Sequence, residues 1–306
     1  MNCMLCNGSK IEKLYDGKDL LIGVEGKFQL VGCRDCGLAW VAPELSNEEM
    51  EAHYPAQYIS YPKAAEDEKN PITRRLRKFG IEKRVRRVIA RTSQAGTVLD
   101  IGCATGGFLN GMQEHGWTCY GVEPSSYAAG YARQRFGLNV FHGYLKDASY
   151  PENFFDVITL WDVLEHIAHP KEDLAIIYKI LKPGGLLTIS MPNSDAWERF
   201  WFGKYWAGWD VPRHYYIYNQ TNIGTLLSEC GFQVEGISSF TGRHGVLALS
   251  IEFWMRDHSL PGWLNKGISG FINSPVARAI TYPYYSVADR FNKSSIMTVF
   301  ASKKPA

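Results

Sequence analysis

From Gly96 onward, short apolar runs alternate with longer stretches of helical spacing. TVLDIG precedes FLNGMQEHG, CYGVEP precedes SYAAGYARQRFG, NVFHG follows, FDVITLWD leads into a helix through Leu181, and GGLLTISMP comes next. Strands and helices in strict alternation specify a parallel sheet with crossover helices, an α/β fold. TNIGTLLSECG then adds a helix, and FQVEGISSF and the closing IMTVFASKK add strands. Two aromatic-rich insertions, 193–218 and 242–295, interrupt this last third. Residues 64–94 carry charge at helical spacing around Leu76, Phe79, Val85, Val88 and Ile89, which predicts one or two amphipathic helices. The expected organisation is a cysteine-bearing module and connector over 1–62, closing in HYPAQYISY, a basic helical segment over 63–95, and an α/β domain over 96–306.

Composition narrows the class. With 45% hydrophobic and 13% aromatic residues, the 306-residue chain can bury a large core. Its formal net charge of +2 is far from that of a domain that wraps nucleic acid, so nucleic acid is not an expected partner. The opening MNCMLCNGSK places cysteines where a secretory peptide needs an unbroken apolar stretch. No run of about 18 apolar residues is present. A cytoplasmic enzyme is the expectation.

Cys3 and Cys6 form one C-x2-C knuckle, and Cys33 and Cys36 form a second. Paired knuckles can supply four thiolates to a tetrahedral zinc, whose binding energy replaces the core that a short module lacks. Four protein ligands close the site, so its expected role is structural. Basic residues in the module are few and interspersed with acids, which disfavours an RNA-guiding ribbon. Cys103, Cys119 and Cys230 fall inside the strand and helix pattern, as small buried hydrophobes do.

VLDIGCATGGFL puts Asp100 and Gly102 at the end of an apolar strand and Gly106 and Gly107 at the start of a helix. Glycines let the backbone approach a ligand, and the helix start offers free N–H groups. The acid before the first glycine suits a ligand with an ammonium group, where a dinucleotide site favours pyrophosphate. Glu123, at the end of the next strand, can accept from two ribose hydroxyls. Together they describe a phosphate-free nucleoside carrying a cationic amino acid portion.

VLDIGCATGGFL, GVEPS, FDVITLWDVLEHIAHP, LKPGGLLTISMPN and the ECGF turn resemble the successive motifs of class I S-adenosylmethionine-dependent methyltransferases. The resemblance covers about residues 96–241 and the closing strand. It implies a Rossmann-like sheet of seven strands, the last antiparallel. It also implies that Asp100, Gly102, Cys103 and Gly106 line the methionine side of S-adenosylmethionine, Glu123 and Pro124 the ribose, and Leu145 the adenine. Trp161 and Asp162 would lie beside the transferred methyl. Ala104 departs from the pattern, standing where the family often has glycine, which leaves the local loop path open. CMLCNGSK, CRDCGLAWVAPELSNEEMEAHYPAQY and WDVPRHYYIYNQTN are similar to methyltransferases of bacterial polysaccharide- and sugar-modifying pathways that carry a zinc-binding domain.

Methyl transfer to a hydroxyl needs in-line positioning and a base for the departing proton. His166 and His214 are the candidates for that base, and Arg213 for holding an anionic acceptor such as a nucleotide-sugar phosphate. The aromatic residues Trp197, Trp201, Trp206 and Trp209 fit either a lid or packing over the sheet edge. Residues 74–91 hold nine basic side chains against Glu82 alone, either as a solvated face or for peripheral contact with anionic lipid at the inner membrane surface. The expected acceptor is a sugar, glycan or glycolipid oxygen. RNA or small-metabolite methylation, at carbon or nitrogen, and a non-catalytic cofactor-binding regulator are the alternatives.

Overall fold

A computed structural model describes residues 2–54, 67–240 and 243–304. Most of HYPAQYISY and the rest of the connector lie outside them. The amino-terminal module holds three antiparallel strands, β1 (Ile11–Gly17), β2 (Phe28–Cys33) and β3 (Ala39–Ala42). A short helix, α1 (Asn47–Glu51), starts at a capping box: Ser46 Oγ accepts from Glu49 N and Glu49 Oε2 from Ser46 N. The basic segment forms one helix, α2 (Pro71–Ile89). Asn70 Oδ1 caps it, accepting from the N–H groups of Ile72 and Thr73, and Pro71 presets its first turn. Gly80 does not break it, because Val85 and Val88 are buried against the helix that follows the glycine loop.

The main sheet is built from β4 (Thr97–Ile101), α3 (Gly107–Glu114), β5 (Thr118–Glu123), α4 (Ser126–Phe136), β6 (Asn139–His142), β7 (Phe155–Trp161), α5 (Pro170–Ile180) and β8 (Leu181–Pro192). The insertion then forms α6 (Trp197–Phe202) and β9 (Tyr216–Ile217). It is followed by α7 (Gln220–Glu229), β10 (Phe232–Ser238), α8 (Arg243–Asp257), α9 (Gly262–Ile272), α10 (Pro275–Arg290) and β11 (Ile296–Lys303). Strand order is β10-β11-β8-β7-β4-β5-β6, with β11 antiparallel to both neighbours and β4 to β8 parallel. This is the Rossmann-like seven-stranded sheet expected. Its central strands are buried on both faces, as Val98, Leu99, Val157, Ile158, Leu187 and Ile189 show. The chain leaves β4 toward β5 on one side, and β7 returns on the other. That switch point opens a crevice at the carboxyl ends of β4, β5 and β7.

The module and the aromatic insertion share a sheet and a core. β9 pairs with β3, Ala39 opposite Ile217 and Trp40 opposite Tyr216, so the four-stranded order is β1-β2-β3-β9. Behind it, Phe28, Leu30 and Val41 pack with Trp206, Trp209 and Val211. Of the two readings of the aromatic segment, packing holds for Trp206 and Trp209, which are buried with their rings edge to face at 5.2 Å, whereas Phe200 and Trp201 stay exposed. Trp206 Nε1 donates to Ser295 Oγ and Trp209 Nε1 to Gly203 O, the partners that a buried indole requires.

A buried cation closes this junction. Arg213 donates to both oxygens of Asp19 (2.9 and 3.0 Å) and both of Asp210 (3.0 and 2.6 Å), and to His53 O at 3.2 Å. His53 Nδ1 donates to Asp19 as well, at 2.7 Å. Burial pushes both carboxyls up, but the Arg213 hydrogen bonds outweigh it and hold them below their ordinary range. The guanidinium expected to receive an anionic acceptor is thus committed inside the protein. Arg213→Met, which strands two buried carboxylates, is expected to cost about 3–5 kcal/mol in urea unfolding, whereas an exposed Arg74→Met changes little.

Candidate active site

The loop after β4 is shaped by backbone that only small residues accept. Gly102 (φ 69°) and Gly106 (φ 79°) are left-handed, and a Cβ on them would come within 2.6 Å of Val163 and Leu138 respectively. Ala104 is also left-handed, at φ 47°. Its conformation is held because its N–H donates to Glu123 Oε2 at 2.8 Å. Glu123 Oε1 accepts from Ser125 N at 2.8 Å, so one carboxylate ties the glycine loop to the start of α4. Each of its oxygens keeps a further lone pair.

Asp100 is buried at the end of β4 and accepts from Thr159 Oγ1 at 2.5 Å. Burial pushes its carboxyl up to about 7, with the nearby Glu123 charge adding to the rise and the Thr159 bond and Arg84 charge opposing it. Burial likewise raises Glu123, against its two backbone N–H bonds. Cys103 is buried beside Gly121, a small residue packed under the loop. Pro124 is exposed, its carbonyl 3.1 Å from His142 Nε2. Leu145 is buried in a 3-10 turn following β6.

At the end of β7, Trp161 lies edge to face with Phe108 at 5.3 Å, and its buried Nε1 has no hydrogen-bond partner. Asp162 turns through a left-handed φ of 59°. It is fixed by its N–H to Ser190 O, by Ser190 Oγ, and by Arg84 Nη2 at 3.1 Å. The Arg84 guanidinium also lies over the Trp161 ring at 4.8 Å. Helix α2 is thereby clasped to the crevice, a role that nothing in its run of basic residues distinguishes. Its carboxyl-terminal half is occupied elsewhere too: Lys83 donates to Phe240 O, Arg86 pairs with Glu82, and Arg91 lies over Phe300.

His166 and His214 meet edge to face with ring centroids 4.6 Å apart. His166 Nδ1 is 3.1 Å from Arg213 O and 3.0 Å from Tyr54 Oη, and His214 Nδ1 is 2.9 Å from Gly208 O. Bonding to carbonyls places the proton on each Nδ1 and leaves each Nε2 as an acceptor. Burial, followed by the neighbouring imidazole, brings His166 down to about 3, and burial lowers His214 also, so both rings are neutral near pH 7. Glu165 completes the cluster. It is buried, its Oε2 has no hydrogen-bond partner, and burial together with the Asp162 charge raises its carboxyl well above the usual range. One ligand atom from each of Glu165, His166 and His214 lies within 4.8 Å of the others, so the cluster could hold a cation or share a proton. Tyr54, Glu165 and Asp210 were not singled out by sequence, since none stands in a spacing that marks it.

In the module, Cys3 and Cys36 sulfurs are 3.5 Å apart, as are those of Cys6 and Cys33, and all four lie within 4.8 Å of one another. A tetrahedral ion at 2.3 Å from each sulfur needs separations of about 3.8 Å, which these bracket. The four thiols could therefore hold a metal.

A methyltransferase-domain family matches residues 73–236, more than half of the chain. The chain belongs to that family. A probable S-adenosylmethionine-dependent methyltransferase of Mycolicibacterium smegmatis is 26% identical over 161 residues, covering 48% of this chain and 60% of the relative. A ubiquinone biosynthesis O-methyltransferase of Azoarcus sp. is 33% identical over 105 residues, covering 32% and 45%. The chain thus spans about half the length of the relatives it matches. Among solved structures, a phosphoethanolamine N-methyltransferase of Haemonchus contortus, bound to S-adenosylhomocysteine, superposes with a TM-score of 0.50 at 20% identity. It covers 73% of this chain and 53% of that one, and it shows the class I methyltransferase fold. The matched region holds the glycine loop, Glu123 and the His166 turn but neither the cysteine module nor α8 to α10.

Elemental analysis of the purified protein is expected to find one tightly held divalent metal per chain. Cys33→Ser should lose it together with thermal stability, and a metal content equal to that of the unmutated protein would count against the cluster.

Proposed function

We propose that this methyltransferase-domain protein transfers a methyl group from S-adenosylmethionine to an oxygen of a small-molecule acceptor, with a structural zinc in its cysteine module. The observation that carries the cofactor assignment is the pair of buried carboxylates, Asp100 and Glu123, on either side of the glycine loop. A pyrophosphate at that helix start would meet two acids in a low dielectric. A nucleoside bearing cationic groups is instead attracted to them. Glu123 has lone pairs left for the ribose hydroxyls, Asp100 faces the ammonium end, and Leu145 supplies an apolar wall for adenine.

When bound, the cofactor supplies an electrophilic methyl on a sulfonium centre. The chain's own residues hold the acceptor in line and take up its proton, while the crevice excludes water. His214 Nε2, 3.9 Å from Asp210 Oδ2, is the base: the Asp210 charge favours a proton on this ring against its burial, and His166, packed edge to face on it, orients it. O-methyl transfer to a small metabolite is supported by the ubiquinone-pathway O-methyltransferases among the relatives. A sugar or glycolipid acceptor is supported only by the amino-terminal resemblance, so the small metabolite is preferred. Zinc fits four thiolates, and its closed shell would fix β2 and the turn into β3, on which β9 and the His214 segment are hung.

Three measurements test the assignment. Asp100, neutral below about 7 in the free protein, must ionise to bind an ammonium group, so binding releases a proton. Affinity should therefore fall about tenfold for each pH unit below 7 and level off above it. Asp100→Asn should bind weakly and with no such slope in calorimetry. Because this carboxyl is raised in the folded state, its stabilising contribution to the unliganded protein is lost as pH rises through about 7. His214→Ala is expected to lower kcat by roughly 10²–10⁴-fold, with the cofactor Kd changed by no more than about twofold. Equal losses in both would remove the histidine pair from the chemistry. Transfer of labelled methyl into small molecules of a cell extract, quinone-type compounds of the organic extract included, with none in glycan or glycolipid, is the expected acceptor result.

A further inference from the structure

Helix α10 has two apolar faces, and only one is used. Ala277, Tyr285 and Ala288 are buried against the protein. On the other side Val276, Ile280, Pro283, Val287 and Phe291 follow one another at four, three, four and four residues, a single stripe within about 80° of the helix circumference. The four large side chains of that stripe other than proline are between 49% and 64% exposed. The apolar surface continues onto α6, where Trp197 contacts Tyr284 and Phe291, Trp201 contacts Tyr284 at 4.9 Å, and Phe200 and Trp201 face solvent. Across the two-residue turn before α10, α9 exposes Trp263 and Phe271. A contiguous apolar face of this kind is rarely left to water.

The charges around it select the occupant. Among the described residues of α9 and α10, every exposed charge is a cation; Lys266 and Arg290 border the exposed apolar side, whereas Arg278 stands on the opposite side of α10. The one acid, Asp289, accepts from Ser294 Oγ at 2.6 Å. A second copy docked about a two-fold axis would set these cations against themselves, because such an interface meets its own surface. An apolar stripe with tryptophans and flanking cations matches instead the boundary of an anionic bilayer, where rings enter the acyl region and cations meet headgroups. No described helix is long and apolar enough to cross a membrane, so such contact is peripheral. The carboxyl-terminal half of the basic helix α2 is engaged within the protein through Lys83, Arg84, Arg86 and Arg91. Its amino-terminal half exposes Ile72, Leu76 and Phe79 beside Arg74 and Arg75 and is the competing face, which a variant of α2 separates from α10.

We propose that α10, with α6 and α9, is a docking surface for an anionic lipid bilayer. Its α6 part lies in the insertion after β8, which also bears His214, and α9 and α10 lie in the insertion after β10. The contact sets the acceptor side of the crevice near the lipid surface, and it does not depend on which acceptor is used.

Sedimentation with phosphatidylglycerol–phosphatidylcholine vesicles and with phosphatidylcholine vesicles, on metal-replete full-length protein, tests it. Binding to the first and at least about tenfold weaker binding to the second is expected, with Ile280→Glu/Val287→Glu reducing partitioning at least about tenfold. Arg74→Glu/Arg75→Glu, on α2, should reduce it far less. Hydrogen exchange on the unmutated protein, needed if the variant fails to fold, should show vesicle-dependent protection in 197–202 and 262–291. The proposal is overturned by protein that stays in the supernatant with both vesicle types, by binding lost only in the α2 variant, or by exchange unaltered in those segments. It is equally overturned by a dimer in light scattering that Ile280→Glu/Val287→Glu dissolves without vesicle binding. Cofactor affinity, measured in parallel, reports separately on the methyltransferase assignment.

Discussion

Two aspartates meeting one buried guanidinium make this chain a single working unit. Arg213 takes both oxygens of Asp19 from the cysteine module and both of Asp210 from the insertion. A charge in the interior is tolerated only when its hydrogen-bonding capacity is met, so each partner fixes the others. The consequence reaches the crevice through backbone: Arg213 O meets His166 Nδ1, and Tyr215 N donates to Glu165 O at 2.7 Å. The turn after β7, and with it the imidazole pair, depends on a residue eleven positions past α6 and on an aspartate from the module.

The cofactor end of the crevice is governed by a different balance. There two carboxylates lie close together with little solvent, and each is pushed up by burial. The unliganded loop is held by backbone N–H donors to Glu123 and by Thr159 to Asp100, a set of bonds that offsets only part of the desolvation. Arg84, stacked over Trp161 and paired with Asp162, supplies positive charge from outside the sheet. At the acceptor end burial disfavours charge on both imidazoles and on Glu165, lowering the histidines and raising the carboxyl, so the cluster carries little charge of either sign. The two ends of one crevice thus differ in the charge they favour.

The family match takes in the first insertion and stops before the second, and it begins after the cysteine module. A shared sheet with its glycine loop binds one kind of nucleoside, whereas segments added between strands are free to change with the acceptor. Here the first insertion does three things. It lends β9 to the module, fills the junction with Trp206 and Trp209, and delivers His214. The second builds a helical layer whose inner face packs on Ala248, Ile272 and Ala277 and whose outer face remains apolar.

How much could be read from residues alone follows from the range of the forces involved. The parallel sheet, the glycine loop with Asp100 and Glu123, and the two cysteine knuckles are local patterns: strand and helix periodicity, left-handed glycines and ligand spacing are written over a few residues. A helix over the basic segment was legible too, but of the apolar positions read as its inner face Leu76 and Phe79 stay exposed and Val85 and Val88 alone are buried. Only the tertiary structure decided that Arg213 is an internal cation and no anion receptor, that Trp206 and Trp209 are core, and that Tyr54 and Glu165 join the histidines. Asp19 and Arg213 are separated by 194 positions, and Tyr54 and His166 by 112. The partners of a buried charge are chosen by packing between elements, and no pattern along the chain records them.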